Sequence, residues 1–269
     1  MAQVALLTIL ATLSLAKTWT GKIAEEYIVA APNSHIEGIV YYDGHVYGGS
    51  KGAYIYDFDK DDLENGKEVT PKQSEYADPK SGLINGLDYS SKKEWIYGAL
   101  AYPFGGGEGG VVAWDVDDMK MQARITVPNT TFGNDVIVGD SYVWWTDHLT
   151  GEIYSCDLKL TACNLVSNDP LLGYRGVLSG VNGVIYIDDY LIAGNYDDGT
   201  LINVPVKDGQ TNGDLFVINI PDPNGYIKEV NGILRVNDDV IIFTAPHWTV
   251  LVESDDDFKT GEIKKAINT

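Results

Sequence analysis

The sequence predicts an all-β chain folded as a β-propeller, most simply of five four-stranded blades, with six as the alternative. Three observations predict it. The first is a repeat: Glu37, Asn85, Asn134, Asn182 and Asn231 each open a similar segment, and they stand 48 or 49 residues apart. A constant period in this range, with several short strands per unit, is the mark of a propeller blade. The second is composition: 29 Gly, 17 Tyr and 6 Trp without long helical patterns suit short strands joined by tight turns. The third is length, since 269 residues less a short leader hold about five such periods.

Within each unit the first two strands are joined by a polar turn. In the third unit Asn134-Asp-Val-Ile-Val138 runs to Gly139-Asp140 and on through Tyr142–Asp147. Asp43-Gly44, Asp188-Asp189 and Asp238-Asp239 supply the same turn elsewhere, as small or acidic residues that tolerate left-handed backbone do. Third strands are predicted at Ala53–Phe58, Gly110–Val116, Gly151–Leu158, Thr200–Val206 and Val250–Glu253. Fourth strands fit Arg124–Val127, Asn164–Ser167 and Asp214–Ile218. An open stack would leave bare strand edges, so a terminal strand is needed in the last blade. Glu25–Pro32, which resembles Leu215–Pro221, and Ile263–Ile267 compete for that slot.

Residues 1–16 read as a cleaved secretory signal: Val4–Leu15 is largely apolar, and Ser14 and Ala16 are the small residues that signal peptidase requires. Residues 17–269 form the single propeller domain. No segment reaches the length of a membrane-spanning helix. The two cysteines, Cys156 and Cys163, flank one hairpin and pair as a disulfide if the chain is secreted. Asn129-Thr-Thr131 is a glycosylation sequon. The formal net charge of −20 excludes a nucleic-acid binder and disfavours an anionic membrane; it weakly favours a monomer.

Antiparallel strands place the start of each first strand and the end of each second strand at one end of the ring. Glu37, Asn85, Asn134, Asn182 and Asn231 then form an inner circle of one carboxylate and four carboxamides. All offer hard oxygen, which suits Ca²⁺, and none offers the nitrogen or sulfur that zinc prefers. The competing structural reading is that Asn-Gly simply caps the loop entering each blade. The wider rim of the same mouth holds His148 and His247, in different blades.

Glu37-Gly38 opening the first blade, followed by blades led by Asn such as Gly133-Asn134-Asp135, resembles the calcium propellers of the gluconolactonase, senescence-marker-protein and paraoxonase type. The resemblance implies a Ca²⁺ held by Glu37, Asn85, Asn134 and Asn182, with Asn231 completing the ring, and hydrolysis of a lactone, ester or phosphotriester. Calcium acidifies water weakly, so a general base is required. His148 and His247 are the candidates, with Asp135 and Asp147 as orienting or nucleophilic carboxylates. Tyr102, Trp145, Tyr196 and Trp248 would shape an apolar substrate pocket. A non-catalytic propeller that binds a ligand or protein on its rim, and a propeller enzyme with non-hydrolytic chemistry, are the alternatives. No nucleophile elbow, P-loop or zinc-protease motif is present.

Overall fold

The computed structural model describes residues 5–9, 25–29, 36–64, 71–74, 82–103, 105–174 and 179–268, the first two segments as backbone alone. Five antiparallel sheets follow one another as the blades of a propeller. Blade 1 is Glu37–Tyr42, His45–Gly49, Ile55–Asp59 and Lys72–Gln73. Blade 2 is Leu83–Ser90, Trp95–Ala101, Gly110–Asp115 and Met121–Thr126. Blade 3 is Gly133–Val138, Tyr142–Asp147, Glu152–Asp157 and Cys163–Ser167. Blade 4 is Val181–Ile187, Tyr190–Asn195 and Leu201–Lys207, with an outer edge broken into Gln210–Thr211 and Phe216–Val217. Blade 5 is Ile233–Arg235, Val240–Ala245, Trp248–Glu253 and Glu262–Asn268. Each sheet runs in chain order from an inner to an outer strand.

The C-terminal strand Glu262–Asn268 takes the outer slot of blade 5. Glu25–Val29 pairs instead with Ala5–Ile9, inside the apolar run read as a signal. The cleavage point after Ala16 lies outside the described residues. The acidic stretch after Phe58 makes one helical turn, Lys60–Glu64.

Side chains alternate across each strand, and here both faces are buried. Four apolar cores result, one between each pair of consecutive blades. Ile96 and Trp114 of blade 2 pack with Tyr47 and Ile55 of blade 1. Their neighbours Tyr97 and Ala113 pack the other way, with Val143 and Trp145 of blade 3. Trp144, one residue before Trp145, joins Leu191, Ile202 and Val204 of blade 4. Ile192 then joins Ile241, Phe243 and Val250 of blade 5. Burial on both faces explains why the second strands read as nearly unbroken apolar runs.

Polar ties repeat with the blades. Ser155 Oγ donates to the Gly209 carbonyl at 2.6 Å, and Asn203 Nδ2 to the Asp257 carbonyl at 3.1 Å, each across 54 residues. In blades 1 to 3 the third strand ends on an aspartate that folds the turn after it. Asp157 accepts from the Lys159 amide at 2.7 Å and the Ala162 amide at 2.8 Å. Asp115 takes the Asp117 amide and Asp59 the Asp61 amide in the same way. Cys156 and Cys163 face each other across the blade 3 hairpin and form a disulfide.

Replacing both cysteines by serine is expected to cost about 2–3 kcal/mol, the loop-closure entropy of so short a ring. Urea melts of the oxidised chain and the double variant check this. Identical midpoints would show that the bridge constrains nothing in the unfolded chain.

Candidate functional site

The five lead residues stand where the inner strands come nearest one another. A Cβ on Gly38 would overlap the Asn85 carbonyl, and one on Gly86 would overlap Asp135. A Cβ on Gly183 would press on the backbone of Asn231 and Gly232. Glycine after the lead in blades 1, 2 and 4 is therefore what lets neighbouring backbones touch. The pairing between first and second strands also shifts register here in blades 1 to 4: between Glu37 and Ile39, Ile84 and Leu87, Gly133 and Val136, and Val181 and Val184. Each shift is a β-bulge, a device that re-aims side chains beside functional sites. The repeat announces the leads but not the bulges, because apolar alternation resumes two residues later.

Asn85, Asn134 and Asn182 are all buried, at 1%, 8% and 3% exposure. Asn85 Nδ2 donates to the Gly133 carbonyl at 2.9 Å, whereas its Oδ1 is buried with no partner among the described residues. The carboxamides of Asn134 and Asn182 make no hydrogen bond among the described residues. Glu37 stands half-buried at the head of blade 1. It is close enough for its charge to raise the pKa values of Asp135 and His148. Asn231 differs. It is solvent-exposed, and its amide bonds to the Thr244 carbonyl at 2.9 Å. The expected circle of five is thus three buried carboxamides and one carboxylate, with the fifth member on the surface. An orphaned buried oxygen and a carboxylate fit a hard cation that takes oxygen ligands.

The two candidate carboxylates are engaged with backbone. Asp135 Oδ1 accepts from the Val136 amide and its Oδ2 from the Val184 amide of blade 4, both at 2.9 Å. Burial pushes its pKa up to about 7, and the charges of Asp88 and Glu37 add to the effect. Asp88 does the same one blade earlier. It accepts from the Tyr89 amide at 2.8 Å and the Val138 amide of blade 3 at 2.6 Å. Burial pushes it up to about 6 against those two hydrogen bonds. Asp147 is fully buried and accepts four amides, from Leu149, Thr150, Thr131 and Phe132, at 2.8–3.2 Å. Its oxygens hold the turn after the second strand and the chain entering blade 3, a place that leaves it no lone pair for attack on a substrate. Asn195 occupies the matching position in blade 4 and bonds to the Asp197 amide and the Gly173 carbonyl, both at 3.0 Å.

The histidines part company. His148 lies between the rings of Phe132 and Tyr196, with centroids 5.4 and 5.5 Å away, and its Nδ1 is 3.3 Å from the Val181 carbonyl. Burial lowers its pKa, although Asp147, Glu37 and Asp197 pull the other way. His247 is exposed in the Pro246-His247 turn of blade 5. Of the four aromatic residues predicted to shape a pocket, Tyr196 alone touches a candidate base. Trp145 is fully buried, stacked on Tyr154 in the core between blades 2 and 3. Tyr102 is buried and accepts from Arg124 Nη2 at 2.8 Å. Trp248 packs on Tyr226 at 4.6 Å. Strand alternation buries both faces of a blade, so these rings fill gaps between blades and do not line an opening. Phe132, the residue just before blade 3, was not singled out by the sequence. Asn129 sits in an exposed turn with φ 67°.

Two cavities lie elsewhere. One of about 580 Å³ opens at the opposite end of the ring, between Tyr89, Val138, Tyr186 and Arg235, each four residues after a lead. The other, about 910 Å³, runs between Pro221–Tyr226 and the outer strand of blade 5.

No family model matches this chain, and no curated protein sequence does. Solved structures share its fold. The crystal structure of the major Malassezia sympodialis allergen Mala s 1 superposes with a TM-score of 0.69 at 12% identity, over 87% of this chain and 79% of that one. The computationally designed Ika8 protein gives 0.55, also at 12% identity, over 90% of this chain and 68% of its own. At such identity the likeness is one of fold.

Two outcomes follow from the carboxylates. Asp88 holds a proton in the folded chain up to about pH 6 but loses it near pH 4 when unfolded. Between those values the folded state binds more protons, so this group's contribution to stability falls as pH rises. Melts of Asp88→Asn against the native chain in EDTA should therefore shift in the variant's favour from pH 4 to 6 and stay level above. A constant difference would contradict the raised pKa. Asp147→Ala removes the acceptor of four part-buried amides and is expected to cost about 2 kcal/mol or more by urea melt, with Asp147→Asn recovering part. A loss below about 1 kcal/mol would show that the amides find other partners.

Proposed function

We propose that this chain is a secreted propeller that binds Ca²⁺ at its inner ring and hydrolyses a small lactone, ester or phosphotriester at the same mouth. The buried, unpartnered Oδ1 of Asn85 carries the reading. A carboxamide oxygen withdrawn from water without a hydrogen bond costs about 1–3 kcal/mol, a penalty that a cation would remove. Glu37, Asn85, Asn134 and Asn182 would hold the ion, one charged and three neutral ligands, which suits modest affinity in a calcium-rich compartment. Bound there, Ca²⁺ supplies Lewis acidity toward a carbonyl or phosphoryl oxygen.

The chain's own residues supply the rest. His148 is the base: lowering its pKa keeps it neutral at pH 7 and able to accept a proton from water. Phe132 and Tyr196 flank the ring, and the Val181 carbonyl fixes the proton on Nδ1, which leaves Nε2 as the acceptor. Asp135 and Asp147 position backbone. His247, alone on an exposed turn, contributes no chemistry. The disulfide fits an oxidising compartment, and no described helix is long and apolar enough to cross a membrane.

A second reading has one observation in its favour. Asp135 and Asp147 are both engaged by amides, so neither of the two carboxylates predicted for the chemistry is free to attack a substrate. A propeller that binds a ligand on its rim, without turnover, accounts for that equally.

Thermal melts in EDTA and then in excess Ca²⁺ test the cation, with a gain of several degrees expected for the native chain and a much smaller one for Glu37→Gln. No shift at millimolar Ca²⁺ would remove the ion from the account. A panel of lactones, aryl esters and phosphotriesters tests the chemistry. Turnover should need Ca²⁺ and fall about 100-fold in His148→Ala, as for loss of a general base. Cation binding without turnover of any of them would select the rim-binding reading.

A further inference from the structure

The inner strands pack in succession from blade 1 to blade 5, but no comparable packing joins blade 5 back to blade 1 among the described residues. Alternation shows which side chains look into that sector. In blade 1, Val40 and Tyr42 pack toward blade 2, so Ile39 and Tyr41 face away from it; they are 40% and 58% exposed. In blade 5, Ile233 packs toward blade 4 and Arg235 reaches the Tyr186 carbonyl there, so Leu234 and Val236 face away; they are 43% and 38% exposed. The inner part of the sector is thus walled by four exposed apolar residues. Its outer part is different. Val46, Tyr56 and Phe58 of blade 1 and Ile242 of blade 5 point into the same sector and are buried, yet they belong to none of the four inter-blade cores. Something other than a blade covers them.

The sequence names an occupant. Ile125-Thr-Val-Pro-Asn129 ends the outer strand of blade 2 and leads, five residues after Asn129, to Asn134. Ile28-Val-Ala-Ala-Pro-Asn33 leads in the same way, four residues after Asn33, to Glu37. By this correspondence Glu25–Val29 is the outer strand of the blade that precedes blade 1. It cannot serve blade 5, whose outer slot is filled by Glu262–Asn268. Residues 30–36 tether it within about 25 Å of Glu37. We propose that the sector between blades 5 and 1 is the docking surface for the chain's own strand Glu25–Val29, seated there as the outer strand of an incomplete sixth blade. The strand follows Ala16, so it is kept whether or not a signal is removed.

Hydrogen exchange on the full chain tests this with Tyr27→Asp and Ile28→Asp, at adjacent positions of the strand. One of the two should speed amide exchange at least tenfold in His45–Gly49, Ile55–Asp59 and Val240–Ala245, with Tyr142–Asp147 of blade 3 unchanged. Native rates in both variants, or a loss spread evenly over all five blades, would overturn the proposal. Should a variant fail to fold, a photo-crosslinking benzoylphenylalanine at Ile242 gives an independent reading. An intramolecular adduct mapping to residues 25–29 is expected. Adducts to a second copy, or to any other segment, would overturn it.

Discussion

Burial of both faces of each blade is the constraint on which the rest of the structure depends. Trp144 and Trp145 are neighbours in one strand, yet one sits in the core shared with blade 4 and the other in the core shared with blade 2. No blade can satisfy such a strand alone, since half of its apolar side chains would face water. Stacking around an axis is the solution, and it draws the inner strands together at Gly38, Gly86 and Gly183. Close backbone contact at the heads of the inner strands is a consequence of that packing.

The same close approach decides what the acids do. Where inner strands meet, backbone amides need acceptors, and Asp88 and Asp135 each bridge from their own strand to the next blade. Asp147, Asp157 and Asp256 serve turns in a similar manner. A surplus of carboxylate that reads in sequence as chemistry or solubility is thus spent in good part on the backbone.

Sequence reading was most reliable where a period carries the signal. The repeat located every blade, the Asp- and Gly-containing turns, and the strands to within two or three residues in most cases. The Cys156–Cys163 bridge followed from spacing across a hairpin. It was least reliable for roles that depend on where a side chain points. Trp145 reads the same whether it lines a pocket or fills a core, and the second buried face of the strand is visible only once blades 2 and 4 are both in place. Asp135 follows a lead residue in the chain, and a bulge turned it to the amide of Val184, 49 residues on. Asn231 shares the repeat but is exposed, since no further blade packs beyond it among the described residues. The choice between two terminal strands for blade 5 was equally beyond sequence, because both have strand patterns and pairing decides.

The central claim is that Glu37 and three buried carboxamides grip a divalent cation. Side-chain NH₂ resonances of asparagine report this most directly, in ¹⁵N-labelled chain titrated with Ca²⁺ and assigned by single Asn→Asp replacement. The account predicts saturable shifts for Asn85, Asn134 and Asn182 together, with Asn231 little moved. Shifts confined to the exposed aspartate turns, with those three carboxamides still, would contradict it.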